Sequence, residues 1–236
     1  LCFRNTSNYS FPLCHVGNQT LSYKSRHQNL EMSENWYEFI SAETPLTQGD
    51  LIFDCPLLSW QPENLHVQGG RLEQESLEGG INAISADVIV MTQACDLEQR
   101  RVENVLLCPH ISLADHRAAW VAEMKTRGQN PTEKAWKAYC EDICNGFIFN
   151  YTMLNRCQID QLTIEVRIVH FHEVYTIPRI FLESLLLQRE KPRFRLRPPY
   201  REHLSQAFAR FFMRVGLPVP IEKAWQIQAG HDIAQM

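Results

Sequence analysis

Gln93, Cys95, Asp96 and Glu98 follow directly on an unbroken run of apolar or β-branched residues at 88–92. They are residue types that can carry a reaction. A cysteine becomes a strong nucleophile when a neighbouring base or a helix N-terminus stabilises its thiolate. Asp96 or Glu98 could instead serve as a general base, with an arginine stabilising phosphate charge. His110 is the imidazole to consider as a partner for Cys95. In a hairpin that pairs residues 88–92 with 102–108, positions 95 and 110 lie beyond opposite ends, so the two meet only if the chain folds back. The plainer reading makes Cys95 a small buried residue and Asp96 a cap on the following turn.

Two further sets of side chains have the chemistry of metal ligands. Cys55, Cys95, Cys108 and His110 offer the soft and borderline donors zinc takes in a tetrahedron, but no Cys-x-x-Cys knuckle sets their spacing. Cys140 and Cys144 stand one helical turn apart, a spacing that core residues also show. His170 and His172 alternate along a strand and would share a face, with no third ligand beside them. On this reading the chain carries no metal and no cofactor.

The stretch 189–214 holds eight Lys or Arg (Arg189, Lys191, Arg193, Arg195, Arg197, Arg201, Arg210, Arg214) against two acids, in a chain whose net charge is −4. Arg193, Arg195 and Arg197 alternate with Phe194 and Leu196, the period of a strand with three guanidiniums on one face. With Tyr200 and Arg201 alongside, that face suits phosphate contacts and a stacking aromatic. The alternative is a solvated face paired with acids elsewhere in the chain.

The elements that must position these groups follow from the hydrophobic pattern. Residues 88–92 read as a strand buried on both faces, because a half-buried strand would alternate. A strand at 51–55 precedes it, ended by Pro56, and a polar excursion with Gly69-Gly70 and Gly79-Gly80 separates the two. A charged turn at 98–101 leads into a second buried strand at 102–108. A helical pair then occupies about 111–146. Ser112 caps the first helix, with Asp115 at N3, and Gly128 stops it. The second follows Pro131, and Gly146 ends it. Strands are expected at 147–154 and 162–171, a helix capped by Thr176, a strand at 193–197, and a last helix opened by Pro198-Pro199 and ended by Gly216.

The result is α+β: a small, strongly bent antiparallel sheet or SH3-like partial barrel, with an inserted helical pair and C-terminal helices. Residues 32–236 read as one domain. Residues 1–31 lack a clear period and read as a disordered or non-native extension, with Met32 as the natural start. Two glycosylation patterns there, at Asn8 and Asn18, are short enough to arise by chance. No run approaches the roughly 20 apolar residues of a membrane helix, so no membrane partner is expected. The eight cysteines fall inside elements rather than bracketing loops, which points to reduced thiols and a cytoplasmic protein.

Gly49-Asp50-Leu51-Ile52, the buried strand after it, and residues 105–109 together resemble the opening of the PemK/MazF-like toxin family, over roughly residues 47–110. The resemblance implies an SH3-like barrel of bacterial type and, for many members, RNA cleavage. Members carry an Arg-Pro just ahead of the second strand, where the arginine assists cleavage; Ala86-Asp87 stand there in this chain.

Three functions follow as expectations. The first is nucleic-acid binding through Arg193, Arg195, Arg197, Tyr200 and Arg201, with a toxin- or defence-associated nuclease activity at Gln93, Cys95, Asp96 and Glu98. The second is a non-catalytic module that binds a protein partner at the barrel rim. The third is a thiol-dependent enzyme using Cys95.

Overall fold

The computed structural model describes residues 36–213, apart from 65–66, 69–70, 73–77 and 160–161. The chain divides into two units, Leu1–Asn35 and Trp36–Met236. The expectations for residues 1–31, for Met32 and for Gly216 lie outside the described residues, as do Gly69 and Gly70.

The sheet is built around the strand the sequence singled out. β5 (Ile81–Val90) pairs antiparallel with β2 (Leu51–Trp60) on one edge and with β6 (Asn104–Ser112) on the other. Val88, Ile89 and Val90 have no exposed surface. Two separate clusters explain why they do not alternate with polar residues. Ile89 packs on one face with Tyr37, Leu51, Phe171 and Leu196, while Val88 and Val90 pack on the other with Ile52, Leu107, Ile177 and Leu182. A strand covered on both faces has no solvent side to populate.

β6 carries two strands on its far edge. β10 (Arg167–His170) pairs with residues 110–112 and β11 (Tyr175–Pro178) with residues 104–107, with 171–174 displaced from the ladder between them. β7 (Tyr151–Leu154) extends the sheet beyond β10. Two short hairpins stand apart, β3 (Val67–Gln68) with β4 (Arg71–Leu72) and β8 (Cys157–Ile159) with β9 (Leu162–Ile164). β12 (Arg193–Leu196) pairs with β1 (Tyr37–Ile40), and its Arg195 forms an isolated antiparallel bridge with Asp50, the residue before β2. The barrel is not closed. The fold is α+β, a bent antiparallel sheet with helices against it.

Several boundaries differ from the pattern. Pro56 lies inside β2, opposite Ser85, rather than ending it. Among the described residues β2 has a strand partner on one edge only at that point, so a residue without an N–H is tolerated. A bulge between Ile52 and Cys55 puts Asp54 at φ +51°, and Arg189 donates to the carbonyls of Phe53 and Asp54 at 2.8 and 2.5 Å. The turn after β5 begins as a helix, α1 (Ala94–Glu98). The strand expected at 162–171 is broken into β9 and β10. Residues 175–178 form a strand rather than a helix start, and α4 (Arg179–Arg189) begins after Pro178. β1 was not anticipated: its partner is far away in sequence, and four residues carry too short a pattern to read.

The helical insertion matches its caps. Ser112 accepts from the Asp115 N–H at 3.0 Å at the start of α2 (Leu113–Thr126). Thr132 accepts from Ala135 at 3.2 Å before α3 (Glu133–Cys144). α5 (Tyr200–Phe212) buries Leu204 and lays Phe208 and Phe211 against the first cluster.

Candidate nucleic-acid interface

Gly49 and Asp50 join three elements. Gly49 donates to the Val90 carbonyl at 2.9 Å, Val90 donates back to the Asp50 carbonyl at 3.0 Å, and Leu196 donates to the Gly49 carbonyl at 3.0 Å. Gly49 takes φ +84°, and a Cβ there would lie 3.0 Å from that of Leu196. Only glycine meets both demands at little cost. The tight approach brings Asp50 under β12.

The Asp50 carboxylate, fully buried, takes two arginines. Oδ2 accepts from Arg193 Nε at 2.8 Å, from Arg195 Nη2 at 3.0 Å and from the Thr47 N–H at 3.2 Å; Oδ1 accepts from Arg195 Nε at 2.5 Å. Arg193 also donates to the carbonyls of Ser41, Thr44 and Pro45. Arg195 donates to Pro45 as well.

The expected face of three outward arginines is therefore corrected in part. The Arg193 side chain is 4% exposed and that of Arg195 13%. A buried carboxylate draws both inward, because a charge taken out of water must be paired. Period-2 patterning gives the face a residue lies on, not whether water lies beyond it. Arg197 is exposed, and Arg201 is partly exposed beside Glu202, to which it donates at 3.1 and 2.8 Å.

Tyr200 stacks on Trp36, with ring centroids 4.3 Å apart and planes 12° from parallel. The Arg197 N–H donates to the Trp36 carbonyl at 2.9 Å. Trp36 and Tyr200 thus form an aromatic pair, with Tyr200 close in sequence to the exposed Arg197 and to Arg201, whose guanidinium pairs with Glu202. Trp36 was missed because its partner comes from the far end of the described chain.

The rim beyond β5 adjoins this network. Gln48 donates to the Met91 carbonyl at 3.0 Å, and Thr92 Oγ1 takes the Leu106 N–H at 2.7 Å, ending the β5–β6 ladder with a side chain in place of a carbonyl. Gln93, Cys95 and Glu98 are exposed and Asp96 half-buried, on or beside α1. Cys95 Sγ lies 3.8 Å from Gln93 Oε1 and 3.9 Å from Asp96 Oδ1. His110 is fully sheltered inside the fold and pairs with Arg167, so the two do not form a dyad. The rim holds acids and a thiol that solvent reaches.

The zinc set is likewise dispersed. Cys55 and Cys108 belong to different core clusters while Cys95 is exposed. Among the described residues, no three His, Cys, Asp or Glu side chains gather in a metal-binding arrangement. Cys55, Cys95, Cys108, Cys140 and Cys144 are free thiols. Burial pushes the Cys55 thiol up to about 11 and that of Cys108 to about 12.

Two polar clusters escaped the pattern. Arg167 Nε donates to His110 Nδ1 at 2.9 Å, its Nη2 pairs with Asp87, and its guanidinium lies 5.4 Å from the Phe53 ring. Burial and the Arg167 cation push the His110 imidazole down to about 3. Asp87, a lone acid just before an apolar run, was the available signal. In the second cluster, His116 Nε2 is 3.2 Å from the Tyr139 hydroxyl, and its ring sits edge-on to Tyr151 and His170. Burial pushes His116 down to about 4. This cluster lies between the helical insertion and β7 and β10.

No family model matches this chain. No curated protein matches it.

Proposed function

We propose that the chain binds single-stranded nucleic acid across Trp36, Arg197, Tyr200 and Arg201. The observation that carries this reading is the Trp36–Tyr200 stack, 4.3 Å between rings, with the exposed Arg197 and the partly exposed Arg201 next to Tyr200 in the chain. An aromatic face accepts any base by stacking, and nearby arginines contact the phosphates. Asp50 supports the site from beneath: by holding Arg193 and Arg195 it fixes β12, which leads directly into Arg197 and Tyr200. Arg195 stands at the margin.

The resemblance to the PemK/MazF-like family adds RNA as the substrate class and a bacterial, cytoplasmic setting. In such a nuclease, Asp96 or Glu98 would take the proton from the 2′-hydroxyl as its oxygen attacks the phosphorus, and Gln93 would orient the phosphate. The P–O5′ bond would break, with the departing 5′ oxygen taking a proton from water. Cys95 is exposed beside both and has no imidazole partner, which favours the acids over the thiol. No helix among the described residues is long and apolar enough to cross a membrane.

The test is fluorescence anisotropy with a labelled single-stranded oligouridine at several salt concentrations. Binding should weaken steeply as salt rises, and Arg197→Ala with Arg201→Ala should lower the salt slope by about 2. No binding at low salt ends this reading.

A further inference from the structure

Opposite the arginine surface in sequence, the open side of the barrel has its own chemistry. β2 ends the sheet path, and among the described residues β6 is the only strand partner of β11. Two cavities of about 510 and 380 Å³ lie along residues 56–60 of β2 and residues 172–178, with Ile81 and Ala83 of β5 and Phe181 of α4 also in their walls, and they share Leu57, Leu58 and Thr176. They form one groove.

Its construction shows what kind of gap it is. Leu57 and Ile177 are core residues, 3% and 5% exposed, yet both line the groove. Their outward neighbours Leu58 and Thr176 line it too. Residues of both parities from each strand border the same space. A cavity on a sheet face is lined by alternate residues, whereas one lined by consecutive residues runs along strand edges. The groove is thus a seam that follows two edges, those of β2 and β11, that have no strand partner there among the described residues, with the core as its floor and Ile81 and Ala83 of β5 where it spreads onto the face of β2.

We propose that this seam takes an extended peptide of a partner protein, which adds as a strand between β2 and β11. Main-chain hydrogen bonds to unpaired edges give such a complex its affinity, and alternate side chains give it specificity. Every second side chain of the peptide points to the floor at Leu57 and Ile177 and is apolar. Glu173 lines one end of the groove, and no Lys or Arg lines either cavity. The peptide therefore carries a Lys or Arg at that end. Five residues of β2 border the seam, which at a strand's rise of about 3.3 Å per residue suits a peptide of five or six.

The test uses a fluorescein-labelled pool of hexapeptides with Val, Ile, Leu or Phe at alternate positions and Lys, Ser or Thr between them. The control is the same pool N-methylated at alternate amides. The full chain should bind the pool at least tenfold more tightly than the control, and amide exchange should slow at 57–60 and 174–177. Leu58→Lys, at a side chain already 68% exposed, should reduce binding about tenfold without unfolding the chain. Glu173→Lys should shift preference to a pool carrying Glu in place of Lys. Equal binding of pool and control overturns the proposal, as does protection elsewhere. So does a dimer in which these amides are already protected, since a second copy then fills the seam. Oligouridine binding should be the same in Leu58→Lys and Glu173→Lys, so this site and the arginine surface fail independently.

Discussion

Asp50 and Arg193 meet at 2.8 Å in a space closed to water, the carboxylate wholly buried and the arginine 4% exposed. Removing one partner of a buried pair leaves the other charge unmatched, at a cost of about 3–5 kcal/mol. Asp50→Ala should show a loss of this size in urea unfolding. Arg195→Ala, at the wetter end of the network, should lose less. Equal effects would mean the two arginines do not divide between interior and margin as described.

Gly49→Ala tests the approach that places Asp50. The new Cβ meets Leu196 at 3.0 Å in a backbone conformation that alanine resists. The expected loss is about 1–3 kcal/mol, read from a lowered denaturation midpoint. Weaker oligouridine binding should accompany it, because β12 and the residues beyond it shift.

Tyr200→Ala should weaken oligouridine binding by about 1–3 kcal/mol at any salt concentration, since stacking is not screened. Arg197→Ala should weaken it most at low salt. Anisotropy titrations at two ionic strengths separate the two effects.

Acid should destabilise the fold through its sheltered imidazoles. An ordinary histidine takes up a proton at about pH 6.5. Folding holds His110 down at about 3 and His116 at about 4. Below about pH 6.5 the unfolded chain binds protons that the folded one refuses, so stability is full above that pH and declines toward the folded values. His110→Gln keeps an acceptor for Arg167 and should lose less stability than the parent between pH 7 and pH 5, measured by thermal unfolding.

Iodoacetamide should label Cys95 first. Cys55 and Cys108 are buried, with their thiols pushed up to about 11 and about 12, and should react only on unfolding. Cys144 is exposed but its thiol is also raised, chiefly by burial, and it donates to Met153 Sδ at 3.5 Å. Peptide mapping over a time course orders them; early labelling of Cys108 would contradict its burial.

The α+β class, the buried strand at 88–90 and the two capped helices were legible in the sequence because each rests on local pattern: an apolar run, or a serine followed by an acid three residues on. What escaped depends on distant partners. Arg193 reads as an outward residue until Asp50 is known to lie beneath it. Nothing in residues 37–40 announces a pairing with 193–196. Pro56 reads as a stop because sequence alone does not tell that the strand has a free edge. The rim at 93–98 was placed correctly at the end of β5, yet its helix was too short to show any period.

Among the described residues β1 finds its only strand partner in β12, almost the full length of the described fold later. During synthesis the first strand must therefore wait, unpaired, while nearly everything between them is made. Contacts of such long sequence separation form late and slowly. The aromatic stack and the Asp50 anchor both depend on that final docking, so the surface proposed to bind nucleic acid would be completed as the last act of folding, and a chain cut short on the ribosome would lack it.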